Sequence, residues 1–125
     1  MKCRTDSYDI AMRFVDDLEM AAWLTEFGGG PDDFDWDEGN RTKNRKHEVE
    51  PTDVEAMFQH PLVFLGRIIE PVHNEARWIM LGQDANGRHL ALVFARRGQQ
   101  LRPVSCRPMR INERKVYEET IQEDE

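Results

Sequence analysis

Apolar positions recur along this chain first at a helical period and later at a strand period. From Tyr8 to Phe27, Ile10, Ala11, Phe14, Val15, Leu18, Ala21 and Ala22 fall on one face at a 3.6-residue period, which predicts a helix. Asp6 or Ser7 can cap its start, and Gly28-Gly29-Gly30-Pro31 ends it. Met20, Trp23, Leu24 and Phe27 fall off that stripe, so the second half of the helix is apolar nearly all round. Phe34-Asp35-Trp36-Asp37 alternates as a short strand. Residues 38–47 read as a polar helix and residues 51–59 as another, with Pro51 at the first helical position.

Four strands are expected next. Leu62-Val63-Phe64-Leu65 is the first, with Ile68-Ile69 as its extension. Residues 77–82, 88–95 and 101–106 supply the others. The turns Asp84-Ala85-Asn86-Gly87 and Arg97-Gly98-Gln99 are too short for anything but antiparallel pairing. Residues 90–95 are apolar on both faces, which predicts a central strand with helices over one face. Pro103 lacks an N–H, so its strand should be an edge or carry a bulge. A last helix spans about residues 110–122, with Ile111, Val116 and Ile121 as its apolar anchors. The order predicts an α+β fold: a compact antiparallel four-stranded sheet plus the short strand at 34–37, packed with helices. The triple glycine divides it into an acidic helical extension, residues 1–33, and a main domain, residues 34–125.

Composition fits this picture. A chain of 125 residues suits one folded core, and 39% hydrophobic residues suffice to build it. Cys3 and Cys106 show no metal-binding spacing and read as free thiols. No apolar run reaches the ~18–20 residues of a membrane helix, and the N-terminus lacks the apolar core of a secretion signal. Cytoplasmic location is therefore expected. Charge is segregated. Residues 1–40 hold 3 Lys/Arg and 11 Asp/Glu, residues 41–117 hold 14 and 8, and residues 118–125 hold none and 5. A basic middle in an acidic chain marks either a partner surface or a solvated face.

No catalytic triad, phosphate-binding loop, dinucleotide fingerprint or metal-ligand cluster is visible. The four histidines are scattered. Arg41, Lys43, Arg45, Lys46 and His47 crowd one polar helix. Strict alternation from Arg102 puts Val104 and Cys106 on its face of the strand and Arg107 beyond them. Arg110 and Arg114 share one face of the last helix, and Glu113 and Tyr117 an adjacent one. A strand end feeding a helix start can bring Arg102, Arg107, Glu113, Arg114 and Tyr117 together, and guanidinium groups suit phosphate oxygens. The plainer reading leaves these charges to solvate an exposed helix.

Three stretches resemble the BrnT family of type II toxins: Phe34-Asp35-Trp36-Asp37 with Asn44-Arg45-Lys46-His47; Pro61-Leu62 with residues 75–82; and residues 102–107 with Glu113-Arg114-Lys115-Val116-Tyr117-Glu118. They lie in the family's order and spacing across residues 34–119. The resemblance implies a RelE-like fold and a ribonuclease that blocks translation. It implies an antitoxin of the BrnA type, a ribbon-helix-helix DNA-binding protein, so that DNA is met only through that partner. It implies no metal and no organic cofactor. On that reading the ribose 2′-OH attacks the adjacent phosphorus. Arg102 and Arg107 are then the candidates for phosphate stabilisation, and Glu113, Tyr117 or His47 for moving protons. Lys46, Arg77, Arg114 and Arg45 would hold the RNA backbone. The chain departs from the family at Glu48, usually glycine, at His60, usually aspartate, and at Pro103 and Cys106. A non-catalytic interaction module and an RNA-binding regulator are the alternative readings. The extension before Phe34 is read first as a structural addition, and second as an acidic cover for the basic face.

Overall fold

The structure, a computed structural model, describes residues 12–123. Its centre is a five-stranded antiparallel sheet in the order β1-β2-β3-β4-β5. The strands are β1 (Arg13–Val15), β2 (Val63–Glu70), β3 (Trp78–Gln83), β4 (His89–Arg97) and β5 (Gln100–Pro108). The helices are α1 (Leu18–Glu26), α2 (Glu38–Arg41), α3 (Pro51–Met57) and α4 (Ile111–Glu123). The expected α+β class holds, and the four strands from 62 onward lie close to their expected positions.

The fifth strand is not where the sequence placed it. The helix expected over residues 8–27 is instead β1 followed by α1, with residues 8–11 outside the described part. Phe14 and the Met20–Leu24 pair belong to different sides of the sheet, so the apparent single stripe is two contact surfaces. Asp17 separates them, accepting the Met20 N–H as helix cap at 3.0 Å. The caps expected at Asp6 or Ser7 lie outside the described residues. Gly66 makes room for β1: it has φ +139°, and a Cβ there would collide with the Val15 carbonyl. The expected strand at 34–37 reduces to one parallel bridge, Phe34 to Leu101.

Helices cover both faces of the sheet, not one. On one face α1, α3 and the 34–49 segment pack on Phe64, Met80, Leu90, Leu92 and Phe94. On the other, α4 packs Val116 and Tyr117 against Val63, Leu65, Ile79, Leu81 and Ala91. The inward positions of α4 are Glu113, Val116, Tyr117 and Thr120, spaced at helical intervals. Ile111, an expected anchor, falls off that face and is 88% exposed.

The helix expected at 38–47 breaks at Thr42, giving α2 and a 3₁₀ turn over residues 43–47. Both halves serve the open edge of β5. Asn40 donates to the Pro103 carbonyl, Asp35 N–H to the Leu101 carbonyl, and Asn44 accepts the Cys106 N–H at 3.0 Å. Side-chain amides thus satisfy backbone groups that an edge strand leaves unpaired. Pro103 lies on this edge strand, as its missing N–H requires. A register shift opposite Val93 and Phe94 bulges β5 at Val104.

Candidate active site

The bulge changes which β5 side chains share a face. Arg107 pairs with Ala91 and Arg102 with Ala95, so both arginines lie on the α4 side of the sheet. Unbroken alternation would have put them on opposite faces. They remain separate all the same. Their partners are four residues apart along β4, roughly 13 Å at about 3.3 Å per residue.

Arg107 sits where β5 gives way to α4. Its Nη1 and Nη2 donate to Glu113 Oε1 and Oε2 at 2.7 and 2.9 Å, and Nη1 also reaches the Pro108 carbonyl. Glu113 Oε1 accepts the Arg110 N–H as well, at 2.8 Å. Burial pushes the Glu113 carboxyl up, but the Arg107 fork, the Arg110 amide and both positive charges outweigh it and leave it below the ordinary range. Glu113 is therefore a buried carboxylate with both oxygens occupied. Arg107 keeps 19% side-chain exposure, and its Nε–H and second Nη2–H have no partner among the described residues.

Arg102 lies at the far end of β5, 2.9 Å from Asp37 and 3.5 Å from Asp35. Arg97 approaches Asp35 at 3.7 Å and bonds Glu75 at 2.9 Å. The Glu75 carboxyl is held low by its bond from Arg97, against burial, with the charges of Arg97, Arg102 and Arg77 adding to the effect. Arg77 Nε is buried without a hydrogen-bond partner. The arginines at this end are thus largely matched by carboxylates. Sequence reasoning missed Arg97, whose place in a turn sequence gave no sign that it would face Glu75.

Tyr117 and Arg114 stand on α4 with Glu113, whereas Arg45, Lys46 and His47 lie on the 3₁₀ turn of the segment that packs on the opposite face of the sheet. Tyr117 is buried, donates its hydroxyl to the Pro61 carbonyl at 2.9 Å, and meets the His89 ring edge-on. Burial pushes the phenol up, so it stays protonated at neutral pH. Arg114 bonds Glu118 at 2.8 Å on the exposed face of α4. Arg45 pairs with Glu50 on the surface, Lys46 is exposed and His47 half-buried. Arg88 fixes this basic turn against the sheet: it donates to the Glu48 carbonyl at 2.9 Å and to the buried Asp84 at 3.0 Å. Glu48 follows the turn with φ 59°, a left-handed conformation that favours glycine. His89 and Gln83 were not anticipated. His89 was one of four scattered histidines, and only the β3–β4 register brings it beside Gln83.

The sequence model of a family described as the ribonuclease toxin, BrnT, of type II toxin-antitoxin systems matches residues 36–113. The chain belongs to the BrnT family. The match runs from the segment beside β5 through Glu113 and so takes in both arginine clusters. No curated protein matches the chain. As a BrnT toxin it is an endoribonuclease: RNA is its substrate and a protein antitoxin its partner. The BrnT motifs now have structural reasons. Asn44 closes the β5 edge, Trp36 donates to Glu55 at 2.9 Å, and Glu113 holds Arg107. Among the described residues, no helix is long and apolar enough to cross a membrane.

Proposed function

We propose that this toxin cuts RNA without a metal ion, using the ribose 2′-OH as nucleophile, and that the cuts stop translation. Arg107 is the cation that meets the scissile phosphate. The observation that carries this assignment is its bidentate seat on Glu113: one edge of the guanidinium is fixed by a buried carboxylate, and the donors that remain are aimed elsewhere. A preorganised donor of this kind stabilises the charge that develops on phosphorus without reorganising first. Glu113, with both oxygens engaged, acts as a positioning residue. Tyr117, a protonated phenol, can give a proton and not take one. His47 lies at the end of the basic turn, where it and Lys46 can follow the RNA chain with Arg45 and Arg114. Arg102 and Arg77 form a second cationic stop on the same sheet side. Arg102 engages RNA there only by exchanging Asp37 for phosphate.

The fold is RelE-like in this reading, the toxin acts in the cytoplasm, and its antitoxin is a BrnA-like ribbon-helix-helix protein. Family membership supports the partner, and the helix-covered antiparallel sheet supports the fold assignment. The test is purified protein on end-labelled RNA, with Arg107→Ala beside the wild type. Fragments ending in 2′,3′-cyclic phosphate, and a loss of about 10²–10³ in rate for the variant, are expected. Wild-type cleavage by Arg107→Ala would remove Arg107 from the mechanism.

A further inference from the structure

One turn along α4 from Glu113 opens a cavity of about 450 Å³, of which the mechanism above uses Tyr117 alone. It opens between the Gln83 end of β3, the start of β4 and the middle of α4, and Pro61, Gln83, His89, Tyr117 and Glu118 line it. We propose that this cavity seats the nucleoside whose 2′-OH attacks, and that His89 is the group that takes its proton. The proposal rests on metal-free RNA cleavage by this chain and assigns the base that the reaction still lacks.

Register and geometry place His89 there. His89 opens β4, two residues before Ala91, the partner of Arg107, so both side chains stand on the α4 side of neighbouring strands. The Met109 N–H bonds to the His89 carbonyl and locks that relation. The Gln83 amide nitrogen is 2.9 Å from His89 Nε2, and an amide N–H pointed at Nε2 needs a lone pair on that nitrogen. A 2′-OH entering the cavity replaces the amide as the donor to that lone pair. The edge-on contact with Tyr117, with ring centroids 5.6 Å apart, fixes the imidazole plane. Arg114 and Glu118 face the ring from α4, with Glu118 Oε1 3.8 Å from Nε2, and Gln83 faces it from β3 without charge. Arg107 and Glu113 stand one strand away as a neutral pair. Burial, aided by Arg114 and opposed by Glu118, holds the imidazole below its ordinary 6.5, so it is neutral and basic at neutral pH.

The step balances. The 2′-O–P bond forms, the P–O5′ bond breaks, and the 2′-OH proton passes to His89. The leaving 5′-oxygen takes a proton from water, and the products are a 2′,3′-cyclic phosphate and a 5′-hydroxyl. Such a base contributes on the order of 10²–10⁴ in rate.

Two measurements on the full chain test this. In the first, adenosine 3′-monophosphate is titrated in by NMR. Saturable shifts at His89, Tyr117 and Gln83 are expected, and their absence overturns the seat even if the protein cuts RNA. In the second, cleavage rate against pH is recorded for wild type, His89→Gln and Arg107→Ala. The wild-type rate should fall as acid protonates His89. His89→Gln should lose about 10²–10⁴ in rate together with that acidic limb, whereas Arg107→Ala should lose rate and keep it. Added imidazole should partly restore His89→Ala. A wild-type rate and limb in His89→Gln overturn the assignment. A wild type that binds the nucleotide but never cuts RNA overturns the cleavage reading and the base together, leaving only the seat.

Discussion

Glu113→Ala is the most informative single change, because three hydrogen bonds converge on that carboxylate. It removes the two Arg107 bonds at 2.7 and 2.9 Å and the Arg110 amide bond at 2.8 Å. Breaking a buried ion pair from one side costs about 3–5 kcal/mol, since the remaining charge is stranded. Arg107 retains 19% side-chain exposure and can reach water, so the low end, about 3 kcal/mol, applies. For a domain of this size that corresponds to a fall of about 12 °C in Tm. Glu113→Gln keeps the shape but points one amide N–H₂ at the guanidinium, and should cost about 2 kcal/mol. The pH dependence has a defined sign. The folded Glu113 carboxyl lies below its ordinary value of 4.5, so its contribution is present above pH 4.5 and is lost as pH falls through the lowered folded value. Urea unfolding at neutral and acidic pH should therefore show the gap between wild type and Glu113→Gln narrowing in acid. A cost below 1 kcal/mol for Glu113→Ala (roughly what a surface pair is worth), or a gap that does not change with pH, would refute the reasoning.

Three further outcomes are expected. Glu48→Gly should stabilise the fold by about 0.5–1 kcal/mol in urea unfolding, because it relieves a left-handed residue at the turn carrying Lys46 and His47. Gly66→Ala should push β1 off β2, strip Phe14 of its burial for about 2–3 kcal/mol, and speed hydrogen exchange at Arg67, while Ile68, whose N–H bonds the Arg77 carbonyl instead, is spared; unchanged exchange at Arg67 would mean the Val15 contact is not needed. The Cys106 thiol, pushed up to about 12 mainly by burial, should resist iodoacetamide in the native chain at pH 8 and react only as the protein unfolds.

The sequence was most legible where burial and period agreed. β3, β4 and β5 came from apolar alternation and turn residues, and Pro103 marked the edge and the bulge that the structure has. It misled where one pattern served two surfaces. Phe14, Met20 and Leu24 imitate a single helical stripe, but they face opposite sides of a sheet that periodicity does not reveal. The 38–47 segment is polar throughout, so nothing in its pattern announced the break at Thr42. The departure at Glu48 turned out to mark a left-handed backbone position. At the site, the Arg107–Glu113 pair follows from a strand running into a helix start, a local arrangement. Arg102 could not be placed, because one bulge decides its face and a distant loop supplies Asp37. His89 could not be recognised at all, since its setting comes from pairing with β3 and cover by α4, both long-range.

Metal-free cleavage of RNA is read out by treating end-labelled RNA with the purified chain in the presence and absence of EDTA and analysing the new ends. Equal cutting is expected in both, with 2′,3′-cyclic phosphate on one side of each cut and a 5′-hydroxyl on the other. Cutting abolished by EDTA, or 5′-phosphate ends, would contradict it.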